Sequence, residues 1–289
     1  MDDDNPYDLL AAADEDGRWA FGTGFADPLA GVDTAVPGGL DPAALARYCL
    51  ALGDDALIFS HRLQEWVTRM PELEEETAIA NIALDLLGQA RLLLSRAAAA
   101  DPSLGRDEDA LAFFRAPRQF RNVRFAEPAD DGFAAVMARL LVFSAWRLEL
   151  CAALRESVDP VLAAITARSV SELAYHRDYA AAWVVRLGDG TELSHDKMRA
   201  GLAAVWPGVT ELFTASAVER ALPSAAVGPA TLRAGFDEVL AAVLTAAALG
   251  RPADRQAGPL GRDGAHTPAL TGLLAEMQSV ARANPDAAW

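Results

Sequence analysis

Two stretches of this chain place an acid where a motif that binds a pair of metal ions would begin, and one of them carries an imidazole close by. Glu172 is followed by Tyr175 and His176, and Asp85 is followed three residues later by Gly88. A carboxylate and a histidine three residues apart share one helix face, so both can reach a bridged metal pair. A dinuclear site of that kind takes the motif from two helices and one further carboxylate from each of two others. Asp54 and Asp55 stand side by side as candidates for one of those carboxylates. His61 and Glu65, four residues apart, form a pair that more often makes an ion pair or a surface hydrogen bond than a metal site.

The spacing then fails at the positions that matter. Three residues after Asp85 the side chain is absent, at Gly88, and three after Glu172 it is a phenol, at Tyr175. His176 is one residue too late, rotated by about 100° from the required direction. The helix before Glu172 has no acid between Gly132 and Leu148, and Ser144 stands level with Glu172. The nearest carboxylate there, Glu149, is displaced by about 7.5 Å along the axis, whereas a metal–oxygen bond is about 2 Å. Counting back across Pro71 sets Asp54 and Asp55 level with Leu87 and Gly88. The positions Asp54, Asp55, Asp85, Gly88, Ser144, Glu172 and Tyr175 therefore read as a vestigial site, without a metal, cofactor or catalytic residue in this chain. Buried acids still need partners, and Arg91, Arg147 or the Tyr175 hydroxyl are expected to supply them for Asp85 and Glu172. Glycines 188 and 190 lack the Lys-Ser/Thr of a phosphate loop, and neither a Gly-x-Ser-x-Gly elbow nor a dinucleotide fingerprint is present.

The elements that must position these residues are helices. Asp-Pro pairs at 41–42, 101–102 and 159–160 are start signals, because Asp caps the first turn and proline needs no hydrogen bond there. A long helix is predicted over 42–69 and is broken by Pro71. A second spans 72–99, opened by Glu72, Glu74, Glu75 and Glu76 at the positive end of its dipole. After a crossover with a short helix near 107–115, long helices follow over 130–156 and 160–187. Shorter ones are expected near 192–205, 207–221, 229–249 and 266–283. Two tight-turned pairs joined by one long crossover have the ferritin-like connectivity of a four-helix bundle. The fold class is all-α, with additional C-terminal helices. On the second helix, Ile79, Ile82, Ala83, Leu86, Ala90 and Leu93 form one stripe while Leu84 and Leu92 lie elsewhere. Such a helix is covered on several faces, by a further helix layer or by a partner.

Composition agrees. Hydrophobic residues make up 52% and aromatics 7% of the 289 residues, ample for a core of good helix formers. The net charge of -16 argues against nucleic acid and against anionic membrane surfaces. Residues 1–40 read as an acidic, partly disordered head and 41–289 as the helical domain. Cys49 and Cys151 sit inside predicted helices as reduced core residues, and no secretory signal opens the chain, which places it in the cytoplasm.

Several segments together resemble the C-subunit family of the bacterial phenylacetyl-CoA epoxidases. They are Leu52-Gly53-Asp54-Asp55-Ala56-Leu57-Ile58 running into His61-Arg62-Leu63, Asn81 to Arg91, Glu172 to His176 with Trp183 to Thr191, and Gly261-Arg262-Asp263-Gly264 with His266-Thr267. The resemblance covers about residues 40–289. It implies a non-catalytic structural subunit that scaffolds a homologous di-iron A subunit, alongside the other epoxidase subunits, in aerobic phenylacetate breakdown. Self-association of the isolated chain stays open. Trp66, Trp146, Trp183 and Trp206 are candidates for interface anchors, with core packing the simpler role for each. A di-metal oxygenase with an unusual ligand set and a stand-alone helical binding protein are the competing readings.

Overall fold

The computed structural model describes residues 29–104 and 107–287, and the acidic segment 1–28 lies outside it. Among the described residues there are helices and no strands. The long helices are α1 (Pro42–Gln64), α2 (Leu73–Ala100), α4 (Phe133–Leu154) and α5 (Pro160–Gly188), with the short α3 (Glu108–Phe113) in the crossover. Then come α6 (Glu192–Val205), α7 (Ala217–Ala221), α8 (Arg233–Ala246), α9 (Pro268–Met277) and α10 (Ser279–Ala283).

The four long helices divide by burial. On α1 and α4 most residues are buried, polar ones included, with every residue of 48–60 and of 135–148 inside, as a helix covered on all sides requires. By contrast α2 and α5 bury one face and leave the other open. The pairs α1–α2 and α4–α5 pack side by side, α2 meets α5, α6 and α8 cover α4 and α5, and α7 lies against α1. Composition and length alone would let α2 cross a bilayer. In the bundle its stripe Ile79, Ile82, Ala83, Leu86, Ala90 and Leu93 is buried. Leu84 is 58% exposed, so no further layer of the described chain covers that side.

The start and stop signals have mixed outcomes. Asp41 caps α1 through Ala43 N, and Asp159 caps α5 through Leu162 N at 2.7 Å. Asp101 opens no helix. It follows the end of α2, and its carboxylate closes a turn by accepting from Ser103 N and Oγ. The next cap is Asp107, which accepts from Ala110 N. The first helix stops at Gln64, short of residue 69. Met70, preceding Pro71, is extended (ψ 153), and residues 67–69 tighten into a 3-10 turn, as a residue before proline disfavours the helical region. Pro207 and Gly208 likewise turn the expected 207–221 helix into a 3-10 segment, Trp206–Phe213, followed by α7. The expected 229–249 helix begins as a 3-10 turn at Pro229–Leu232 and becomes α8.

The segment 29–40 is tied to the helices. Leu29, Val32, Val36 and Leu40 pack on the core, and Arg96 of α2 donates to Thr34 O and Ala35 O. Trp146 and Trp206 are core residues whose indole N–H groups donate to Leu212 O and Asp254. Trp183 is half-buried against Phe133.

Both cysteines are buried and unpaired. Burial pushes the Cys49 thiol up to about 12 and the Cys151 thiol up to about 11. Since the thiolate is the reactive form, neither is expected to react with DTNB in the native protein at pH 8, while the unfolded chain releases both. Rapid labelling of the native chain would contradict this packing.

Candidate functional site

The acids at the expected metal-binding positions do not converge; they separate into two clusters, and a third polar cluster forms from other residues. Asp54 and Asp55, both fully buried, serve the 115–127 crossover and the C-terminal segment. Asp54 forms a two-pronged ion pair with Arg115, whose guanidinium lies 4.0 Å from the Phe120 ring centre, and accepts from Arg121 N at 2.8 Å. Asp55 accepts from Val123 N and from Arg262, each at 2.7 Å. Arg262 also reaches Glu219 at 3.1 Å.

Burial pushes the Asp55 carboxyl above its ordinary range, against the pull of Arg262, Arg147 and Val123 N. For Glu219 burial pushes the same way, but Arg262 and the Ser216 hydroxyl outweigh it and hold that carboxyl below its usual value.

The second cluster lies at the centre of the bundle and joins all four long helices. Arg147 of α4, 2% exposed, donates from Nε to Gln89 Oε1 on α2 at 3.0 Å and from its terminal nitrogen to Leu52 O on α1 at 3.2 Å. The Gln89 amide donates in turn to Glu172 on α5 at 3.0 Å, and Arg168 reaches the other Glu172 oxygen at 3.3 Å. Beside it, Asp85 and His176 meet at 2.9 Å, and the buried His176 Nδ1 has no partner.

Ser144, buried in α4, donates to Leu140 O of its own helix. At Gly88 a Cβ would meet open space. The Tyr175 side chain is at the surface, 52% exposed.

The expected partners are thus corrected. Asp85 takes His176, the residue one step beyond the motif position. Arg147 reaches Glu172 only through Gln89. Arg91 turns outward to Glu108 at 3.2 Å, and Tyr175 reaches neither acid. The i, i+4 pairing of His61 with Glu65 does not form either: Glu65 meets Arg62 at 2.5 Å. Gln89 escaped the sequence reading because a neutral amide carries no charge signal.

The third cluster is a clasp formed by residues 261–267. Asp263 accepts from Ala217 N at the start of α7. Buried Glu127 accepts from Asn122 at 3.1 Å and from Thr267 N at 2.7 Å, and meets His266 Nδ1 at 2.6 Å. His266 Nε2 lies 2.8 Å from Phe120 O. A carbonyl only accepts, so that ring nitrogen carries a proton. Gly261 fits because a Cβ there would lie 2.2 Å from Asn122 O. Among the described residues, the acid or imidazole groups whose ligand atoms gather within 4.8 Å in threes are Glu72, Glu74 and Glu75, at the start of α2.

A groove of about 780 Å³ lies on another side of the molecule, between the start of α4 and α6, lined in part by Phe133, Leu187, Leu193 and Lys197.

Residues 34–289 match the family described as "Phenylacetic acid catabolic protein". Over 247 residues, 85% of this chain and 99% of the relative, the sequence is 42% identical to the C subunit of the 1,2-phenylacetyl-CoA epoxidase of Escherichia coli (strain K12).

Proposed function

Because the chain belongs to the phenylacetic acid catabolic protein family, we propose that it is the structural subunit of a phenylacetyl-CoA epoxidase. In this reading it binds no metal and does no chemistry itself. It supports a homologous A subunit that carries the di-iron centre, within a soluble, cytoplasmic complex that epoxidises the ring of phenylacetyl-CoA.

One observation carries the reading. The node where four helices could direct ligands to a metal pair is organised around the guanidinium of Arg147. Unit charges of like sign repel by about 4 kcal/mol at about 4 Å and an effective dielectric constant of about 20. A divalent ion beside Arg147 would meet roughly twice that. The donors present do not fit a dinuclear centre either: Asp54 and Asp55 are held by arginines elsewhere, Asp85 by His176, and α4 supplies a serine bonded to its own helix. Retained without its metal, the bundle keeps the rigidity that a catalytic neighbour needs around its own ligands.

The test is metal content and association together. The chain is expressed alone in iron-replete medium, stripped of loosely bound metal and analysed, then co-expressed with the catalytic subunit. We expect iron far below one equivalent in the isolated chain, and a stable complex whose iron follows the partner. About two irons held per isolated chain would make it an oxygenase in its own right. Failure to associate would favour a stand-alone binding protein.

A further inference from the structure

The contacts of His266 require more protons than a free histidine and a free glutamate carry in neutral water. The ring stands between two oxygens. Its Nε2 lies 2.8 Å from Phe120 O, and its Nδ1 lies 2.6 Å from Glu127 Oε1. The carbonyl can only accept, so Nε2 holds a hydrogen. A neutral imidazole has no second one, and its Nδ1 would then face an ionised carboxylate lone pair to lone pair. A contact of 2.6 Å therefore needs another proton between Nδ1 and Oε1.

The surroundings place that proton on the ring. Glu127 Oε1 also accepts from Asn122 at 3.1 Å, and Oε2 accepts from Thr267 N at 2.7 Å. Donors on both oxygens favour the ionised carboxylate, so the pair is an imidazolium facing a carboxylate. The two side chains are 7% and 0% exposed, and in such a place a charge persists only when paired and hydrogen-bonded. The other charged groups are committed elsewhere. Arg62 of α1 donates to Glu127 O at 2.7 Å, but its charge is matched by Glu65. Arg262 is matched by Asp55 and Glu219. Arg121 donates to the same Phe120 carbonyl at 2.7 Å, using its second lone pair. Glu211, on the 3-10 segment, lies within electrostatic reach of Glu127, and burial pushes its carboxyl above the ordinary range. His266 is thus the cation left to Glu127.

The pair fastens the start of α9. Glu127 holds Thr267 N, and Arg62 holds Ala269 O at 3.0 Å. Thr267 makes no cap with its own side chain, and its buried hydroxyl has no partner. The far end is tied differently. Gln278 donates to Ala112 O and Arg115 O, and Arg282 to Phe113 O and Arg115 O. No proton exchanged near neutral pH alters those bonds, so loss of the imidazolium opens the start of α9 alone.

We propose that the His266–Glu127 pair is a proton-dependent fastening, which holds one proton more in the folded chain than in the unfolded chain and releases the start of α9 from the crossover as pH rises. The sign follows from the counts. Unfolded, at about pH 8, the histidine is neutral and the glutamate ionised. The folded state then binds one proton more, so its stability falls with rising pH. The contribution of the pair is whole below about pH 6.5, the ordinary histidine value. Above it, one proton of difference costs about tenfold in the folding constant per pH unit, until the folded ring also loses its proton.

The experiment uses the full chain labelled with 15N-histidine, together with His266→Gln. Nitrogen NMR at about pH 8 reads the protonation of each ring, and the signal lost in H266Q is that of His266. Urea unfolding of both proteins from about pH 6 to 9 then gives the ratio of their folding constants, in which the titration of all other groups cancels. Both ring nitrogens of His266 are expected to be protonated at about pH 8, and the advantage of wild type over H266Q to shrink about tenfold per unit above about pH 6.5. A ring protonated on Nε2 alone at that pH, or an advantage that stays constant across the range, would overturn the proposal. Should H266Q not fold, through-bond correlations assign the ring in wild type, and its protonation state decides.

Discussion

Arg262→Met is expected to destabilise the fold by about 3–5 kcal/mol, the usual cost of removing one partner from a buried ion pair. Arg262 is 6% exposed and meets Asp55, which has no exposure at all, and Glu219, at 8%. Methionine matches much of its volume, so the loss is electrostatic: two carboxylates are left in a site that water barely reaches. Equilibrium urea unfolding at neutral pH reads it as a lower midpoint at unchanged slope.

The pH dependence gives an independent check. Glu219 is held below its ordinary range in the wild type, so its contribution is present above the unfolded-state value and is lost as pH falls through the folded one. In Arg262→Met both acids are disfavoured when charged, and protonation relieves them. The gap between wild type and variant should therefore narrow as pH falls toward about 4, near the ordinary carboxylate range. A gap that stays constant with pH would mean that Arg262 acts through packing alone.

This clasp marks what the sequence could and could not show. Helix order and type were legible, because Asp-Pro starts, prolines and long apolar stripes are local signals. The departures from the metal motif are likewise a matter of residue identity along single helices, with Gly88, Ser144 and Tyr175 at the expected ligand positions. The wiring was not local. Asp54 and Asp55 look alike in sequence, yet one meets Arg115 and the other Arg262, 207 residues away. No periodicity links Gln89 to Arg147, which needs the packed bundle to bring the two together. The Gly-Arg-Asp-Gly and His-Thr residues stood out by resemblance, and only the fold explains their grouping: Arg262 ties α1 to α7, Asp263 reaches α7, and His266 and Thr267 both reach Glu127 of the crossover. The exposure of Leu84 was half visible, as an apolar residue off the main stripe; α6 to α10 pack elsewhere and leave it open.

Two of the Asp-Pro pairs, at 41–42 and 159–160, sharpen that distinction into an experiment. Asp41 is exposed and caps α1 through one backbone N–H, so Asp41→Ala is expected to cost about 1 kcal/mol. Asp159 makes the same kind of cap on α5, but it is fully buried and also forms an ion pair with Arg96, itself only 3% exposed. Arg96 in turn donates to Thr34 O and Ala35 O, so this one carboxylate joins the start of α5, the end of α2 and the segment before α1. Asp159→Ala removes the cap and strands a buried guanidinium, and about 4 kcal/mol or more is expected. Asp159→Asn keeps a capping oxygen without the charge and should fall between the two. Hydrogen exchange adds a spatial readout, because losing the pair should raise exchange across residues 29–40 in Asp159→Ala and leave it unchanged in Asp41→Ala. Equal losses in the two alanine variants would show that the Arg96 pair adds nothing to the cap. A larger loss confined to Asp159 would identify the ion pair, rather than the start signal it shares with Asp41, as what anchors that end of the bundle.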